Sequence, residues 1–436
     1  MAIEDNASIA LIPSGYKSGK LYSVIPESGN GDFTHSRSNT TATRVAASGL
    51  IENVSSNVPR LDYPLIDGVV QDCPALLLEP SRTNVLPYSE EMNNSGWNKS
   101  NSTITANQIV SPDGSQTADK YTHGGSTAAN YIFESGFSVS SGTEYTFSVF
   151  VKKGTTDFVQ LLLSSGMFGT LHQNFDINNG VIGSRSGNPE PFIEEYPNDW
   201  FRIGITDTAN LTGTGSALIS LARSNTENRI ASFSSSQYFY LWGAQFETGG
   251  YKTSYIPTSG SIATRSADVC NGSGTSAEFN DSEGVLFVEC SLFTNSGANT
   301  YLSIGDTTGT RDSVEFHFRT ELNRIRGIIY SNGSVTVNIS TYDFNKTNNN
   351  KIAFKYKDND FAIWVNGTKA VTSSSGAAPL KLSNLRFEDA NGGNDFYGKT
   401  KQLMTFKTAL TDSELETLTS WDSFNAMAKG QLYTIE

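Results

Sequence analysis

The side chains that could do chemistry here are paired carboxylates, histidines, loop aspartates and aromatics, and their spacing decides which chemistry is open. Adjacent acids occur at Glu90-Glu91, Glu194-Glu195 and Glu388-Asp389. Cleaving a glycosidic bond needs two carboxyls about 5–10 Å apart across a cleft. Neighbours in a strand point to opposite faces, so these pairs read as solvated surface, and an acid/base pair would have to come from distant strands. The histidines, His35, His123, His172 and His317, lie far from one another and from any nucleophile elbow, so no triad is expected. No spacing fits a Cys/His zinc site, a P-loop or a dinucleotide fingerprint. The expectation is a protein that is not an enzyme and carries no organic cofactor. Asp306, Asp312, Asp389 and Asp395 fall in Gly/Asn-rich loops without EF-hand spacing.

Aromatic faces can stack on sugar rings. Core packing outweighs that role for Trp200, Trp242 and Trp364, which lie inside strand-like runs. Trp97 sits in an Asn/Ser-rich loop and is carried as a glycan-binding candidate with Tyr121, Tyr131 and Tyr196.

These residues need a scaffold, and 436 residues are enough for two or three domains. The hydrophobic fraction is 37% and the charged fraction 17%, with Gly, Ser, Thr and Asn filling the gap, while aromatics reach 11%. Aromatic and β-branched runs separated by Gly, Asn and Ser turns indicate many short strands. A formal net charge of −13 argues against nucleic-acid binding. Three cysteines do not make a disulfide framework, although one bridge stays open. The amino-terminal residues lack the pattern of a signal peptide, and no run approaches a membrane span, so no membrane insertion is expected.

The expected fold class is all-β: an extended N-terminal arm over 1–84, a jelly-roll-like sandwich over 85–266 and a second sandwich over 267–436. In the arm, short apolar pieces are broken by Pro59, Pro64, Pro74 and Pro80. It reads either as a linker or as a segment that packs on a neighbouring subunit, and the repeated strand-like pieces favour the second. In the first sandwich, Glu144–Lys152 alternates clearly, with Tyr145, Phe147, Val149 and Val151 on one face. In the second, Asn366-Gly367 is a strong turn dipeptide. Near the end, Thr411 with Glu414 predicts a capping box that opens a short helix.

Two strings bracket the first sandwich: LLLEPSRTN at 76–84, followed by Ser89 and Trp97, and FETGGYKTSYIPTSGSIATRSADV at 246–269. Together they resemble a segment that recurs in bacteriophage head-fibre, tail-fibre and spike-type proteins. The first sandwich resembles carbohydrate-binding jelly rolls in Trp97, Phe147–Lys152 and Trp200–Ile203. The second resembles concanavalin and laminin-G sandwiches in AIWVNG at 362–367 and FKTALTDSEL at 406–415. The resemblance implies a virion structural protein, made in the host cytoplasm and exposed outside. It further implies a homotrimer that binds other virion proteins of the capsid, portal or tail and holds host surface glycans. Two alternatives remain: a purely structural capsid or tail part, and a polysaccharide depolymerase. It implies that loop oxygens of the four aspartates could hold Ca2+. It also implies that Glu79, Arg82, Asn84, Tyr255, Arg265 and Asp268 are junction residues rather than catalytic ones, with Arg82 tied to a carboxylate.

Overall fold

The computed structural model describes residues 3–431 except 126–128, 170, 228–236, 295–298, 307–308, 320–322, 342–344, 424–425 and 428–429. It is an all-β protein built from two sandwiches.

The first sandwich packs two 6-stranded sheets face to face. One runs Asn98–Ser100, Tyr131–Val139, Gly213–Leu221, Phe158–Leu163, Leu171–Asp176, Val181–Ser186. The other runs Ser102–Ile109, Ala118–His123, Tyr238–Thr248, Glu144–Lys153, Trp200–Thr208, Glu190–Tyr196. The alternation in Glu144–Lys153 has the expected effect. Tyr145, Phe147, Val149 and Val151 enter the core between the sheets. Phe150 points the other way, yet it is also buried, against Trp242 and Tyr255 on the outer face.

That outer face is covered by the segment expected to be an arm. The hairpin of Ala42–Val45 and Ile51–Val54 lays Val45 and Ile51 on it. Tyr63 and Leu65 pack on it too, and most of the other strands of residues 3–78 belong to the second sandwich. Ile9–Leu11 and Ala75–Leu78 both pair with Gly398–Phe406, and Phe33–Ser36 pairs with Val269–Ser273. Ile9, Leu11, Leu21, Phe33, Leu76 and Leu78 enter one core with Phe316, Phe354 and Leu403. The expected arm is therefore an integral part of a sandwich made from both ends of the chain. The physical reason is that its short runs are completed by partners hundreds of residues away, such as Ile9 opposite Thr405.

The first sandwich is thus inserted into the second. Its two connections meet: Arg82–Asn84 pairs antiparallel with Ala263–Arg265, Arg82 opposite Arg265 and Asn84 opposite Ala263. Near the end of the chain, Asp412–Thr419 forms the expected helix. Thr411 accepts from the backbone of Glu414, whose side chain returns the bond. Leu415 and Leu418 bury its apolar side. Thr411→Ala is expected to cost about 1 kcal/mol, read as a lower denaturant midpoint, with Thr411→Ser restoring most of it.

Candidate functional site

The bracketing strings converge on a set of buried charges at the seam between the sandwiches. Arg60 donates from Nη1 to Glu79 Oε2 at 2.6 Å and to Ser254 Oγ at 2.7 Å, and its Nη2 meets Asp268 Oδ2. Arg265 Nη1 lies 3.1 Å from Glu79 Oε2, and its Nη2 donates to the Pro80 carbonyl at 2.6 Å. Arg37 donates to Asp268 Oδ1 at 3.0 Å and to the carbonyls of Val54 and Ser55. Glu79 also accepts from the Ser254 backbone at 2.7 Å, and Asp268 from the Glu79 backbone at 3.0 Å. Burial pushes the Glu79 carboxyl up, but Arg265 and Arg60 outweigh it and hold it down at about 2. Asp268 is held still lower: burial is overcome by Arg60, with His35 and Arg37 adding to it. These side chains are almost fully buried, so the network joins chain segments.

Of the six junction candidates, Glu79, Arg265 and Asp268 fall in this network. Asn84 sits beside it, donating to the carbonyls of Ala244 and Ile256 at 3.0 Å each. Tyr255 shares a bond with Ser89 Oγ at 2.6 Å and donates to Glu90 at 2.9 Å. Arg82 differs from the expectation of a tight carboxylate pair. It is partly exposed, 3.9 Å from Glu247, and its guanidinium lies 5.3 Å over the Tyr251 ring. Arg37 and Arg60, which carry much of the network, escaped the sequence reading. The one local sign is a charged residue beside Leu61 in the short buried strand Arg60–Asp62.

Next to the network, the seam opens into a cleft of 530 Å³, and a smaller pocket of 120 Å³ shares Val45, Asp62, Glu194, Tyr196 and Lys399 with it. The cleft is within the usual range of small-ligand sites, about 300–1,000 Å³. One wall is the hairpin of Leu65–Ile66 and Val69–Val70. Its turn has Asp67 and Gly68 at φ 49° and 71°, the pattern of a type I′ turn. A Cβ on Gly68 would lie 2.9 Å from Glu195 Cγ, so a residue without a side chain lets the tip approach the opposite wall. That wall is Glu190–Tyr196. Two ion pairs line the space: Lys399 to Asp62 at 2.8 Å and Lys252 to Glu194 at 2.7 Å. Burial disfavours the Lys399 ammonium, but Asp62 prevails and raises it. Burial likewise raises the Glu194 carboxyl, and Lys252 outweighs that and lowers it. Tyr63 adds a half-buried ring. The site offers fixed donors and acceptors beside an aromatic face, with Asp62 and Glu194 tied to lysines and Asp67 and Glu195 lining it as well.

The aromatic candidates are placed differently from expectation. Trp97 is 1% exposed and donates its indole N–H to the Tyr88 carbonyl at 2.8 Å. Tyr121 is stacked on Phe239 in the core and donates to Asn130. Neither ring can meet a sugar, because both faces are covered. Tyr196 is 9% exposed and edge-on to Phe150, so it contributes its rim to the cleft rather than a stacking face. Tyr131 keeps a partly exposed ring beside Phe133. Trp200, Trp242 and Trp364 are buried.

The four loop aspartates do not converge. Asp312 accepts from the backbone of Asn332 and Leu380. Asp389 accepts from Asn391 and Asn394, and Asp395 from the Tyr397 hydroxyl. Asp306 touches Asp312 through a backbone bond. Among the described residues no group of three or more His, Cys, Asp and Glu side chains could hold a metal ion. The cysteines are free thiols, Cys73 exposed and Cys270 and Cys290 buried. Among the described residues no helix is long and apolar enough to cross a membrane.

No family model and no curated protein matches the chain. Among solved structures, the Ruminococcus gnavus IT-sialidase CBM40 bound to α2,3-sialyllactose is similar at 14% identity and a TM-score of 0.30, over 35% of this chain and 94% of that one. Domains LG4-5 of the mouse laminin α1 chain give 8% identity and a TM-score of 0.24, over 66% of this chain and 88% of that one. Trypanosoma rangeli sialidase in complex with sialic acid gives 9% identity and a TM-score of 0.27, over 96% of this chain and 83% of that one. At these scores no residue of the cleft is matched to a site in those proteins.

Proposed function

We propose that this chain is a bacteriophage virion protein of fibre, spike or decoration type, which displays an inserted β-sandwich and holds host surface carbohydrate in the seam cleft. The observation that carries the binding reading is the cleft itself. It combines a tyrosine ring with the Lys399–Asp62 pair and with Glu194, whose partner Lys252 lines the adjoining smaller pocket, which suits the apolar face and the hydroxyls of a sugar. The virion reading rests on the resemblance of the two bracketing strings, and their pairing at the insertion gives them a common structural task. Contact at each cleft would be weak, and a homotrimer repeated over a virion would multiply it by avidity. Adhesion is favoured over hydrolysis because a glycosidase needs one carboxyl kept protonated, whereas Glu194 is pushed the opposite way by Lys252.

Two measurements test this. On a glycan array, the multivalent full chain is expected to retain at least one host-type glycan, and Tyr63→Ala is expected to weaken retention about tenfold, near the effect of one lost aromatic contact. An empty array, or retention unchanged in Tyr63→Ala, counts against the cleft. Gold-labelled antibody on purified virions is expected to mark head or tail, and unlabelled virions would remove the virion assignment.

A further inference from the structure

A second concavity lies on the inserted sandwich, outside the cleft. Strand Tyr131–Val139 pairs along nearly all its length with Gly213–Leu221, but on its other side Asn98–Ser100 reaches only Tyr131–Phe133. From Glu134 onward no strand among the described residues pairs with that side. The register shifts between Ser135 and Phe137, with Gly136 at φ 102°. Such a bulge re-aims side chains and discourages another strand from adding to the edge.

A pocket of 360 Å³ opens at this point, walled by Val85, Pro87, Phe137 and Ile262, with Glu134 lining it. Ile262 is 59% exposed and Glu134 only 7%. Among the described residues, Glu134 Oε2 is buried without a hydrogen-bond partner. An orphaned polar atom lowers stability, so packing alone gives no reason for a glutamate here. Burial raises its carboxyl to about 7, with Lys99 opposing. Around neutrality such a group both donates and accepts. Lys99 beside it disfavours a cationic ligand. Apolar walls with one buried carboxyl match a ring that has a C–H face and edge hydroxyls.

We propose that this pocket binds a neutral pyranose, with its apolar face against Val85, Pro87 and Ile262 and one ring hydroxyl on Glu134. This subsite is separate from the seam cleft and stands or falls without it. The test is saturation-transfer NMR on the full chain with the methyl glycosides of glucose, galactose and N-acetylglucosamine at millimolar concentration. At least one glycoside is expected to bind. Glu134→Leu should weaken it about tenfold or more, and Glu134→Gln, which keeps a donor and an acceptor, by no more than about threefold. Ile262→Ser, at an exposed position that does not hold the fold, should also weaken binding, and Tyr63→Ala should leave it unchanged. Thermal melts establish that each variant is folded. Absence of transfer from all three glycosides overturns the pocket. Binding retained in Glu134→Leu but lost in Tyr63→Ala also overturns it and assigns the sugar to the cleft.

Discussion

Arg60→Met is expected to lower the stability of the chain by about 3–5 kcal/mol, the usual cost of removing one partner from a buried ion pair. Arg60 touches both Glu79 and Asp268 and has no exposure of its own. Without it, Glu79 retains Arg265, and Asp268 retains Arg37 and His35. Two carboxylates then share less positive charge in a place water does not reach, and the hydrogen bonds to Thr43 and Ser254 vanish as well. Denaturant midpoints followed by tryptophan fluorescence read the loss. Asp268→Asn in the Arg60→Met background should cost less than it does alone, because the two residues share one interaction. A loss below about 1 kcal/mol, the level of an exposed pair, would show that the network is hydrated.

Acid should loosen the same seam. Glu79 is held at about 2, below its ordinary 4.5, and Asp268 lies below its ordinary 3.8. A carboxyl depressed in the folded state stabilises that state fully above its ordinary value, and the contribution is lost as pH falls through the depressed one. For Glu79 the shift corresponds to stability on the order of 3 kcal/mol at neutral pH. The contribution of these two carboxyls to the melting temperature is therefore expected to hold from neutrality to about pH 5 and then to fall steeply toward about pH 2, while Glu134, whose carboxyl burial raises to about 7, adds stability as pH falls toward 5. Trp242, packed on Tyr255 and Phe150 at the seam, gives a local fluorescence signal. Glu79→Gln should start less stable and respond less to acid. An equal acid response in that variant would place the titrating groups elsewhere.

Much of the sandwich architecture was legible because its signals are local. Glu144–Lys153 appears within a residue of where its alternating run puts it. The Thr411 cap depends on four residues and is found as read. Strands of mainly polar residues were not legible. Ser102–Ile109 and Val181–Ser186 expose much of their length, and Glu190–Tyr196 is mostly half-buried, so none carries a strong apolar face. The last of them forms a wall of the cleft, so the cleft was hidden too. Its remaining residues, Asp62, Tyr63 and Lys399, come together only through the pairing of Ala75–Leu78 with both Arg60–Asp62 and Gly398–Phe406. Trp97 was misplaced for a related reason. Its loop has a surface composition, but a turn closed by the bond from its backbone to Asn94 folds the ring inward.

The insertion has a mechanical consequence. A pull on the inserted sandwich reaches the rest of the chain through Asn84 and Ala263 together, because these residues are paired at the same end of the two-stranded clasp. Both strands are tugged in one direction, so the bonds between them are not peeled apart. The tension passes onward along two routes. One leads into Ala75–Leu78, flanked by strands on both sides in the 8-stranded sheet, and the other into Val269–Ser273, likewise flanked in the 9-stranded sheet. Force on the inserted module is therefore divided between opposite faces of one hydrophobic core and loads their hydrogen bonds along the strands, in shear, where many must break at once.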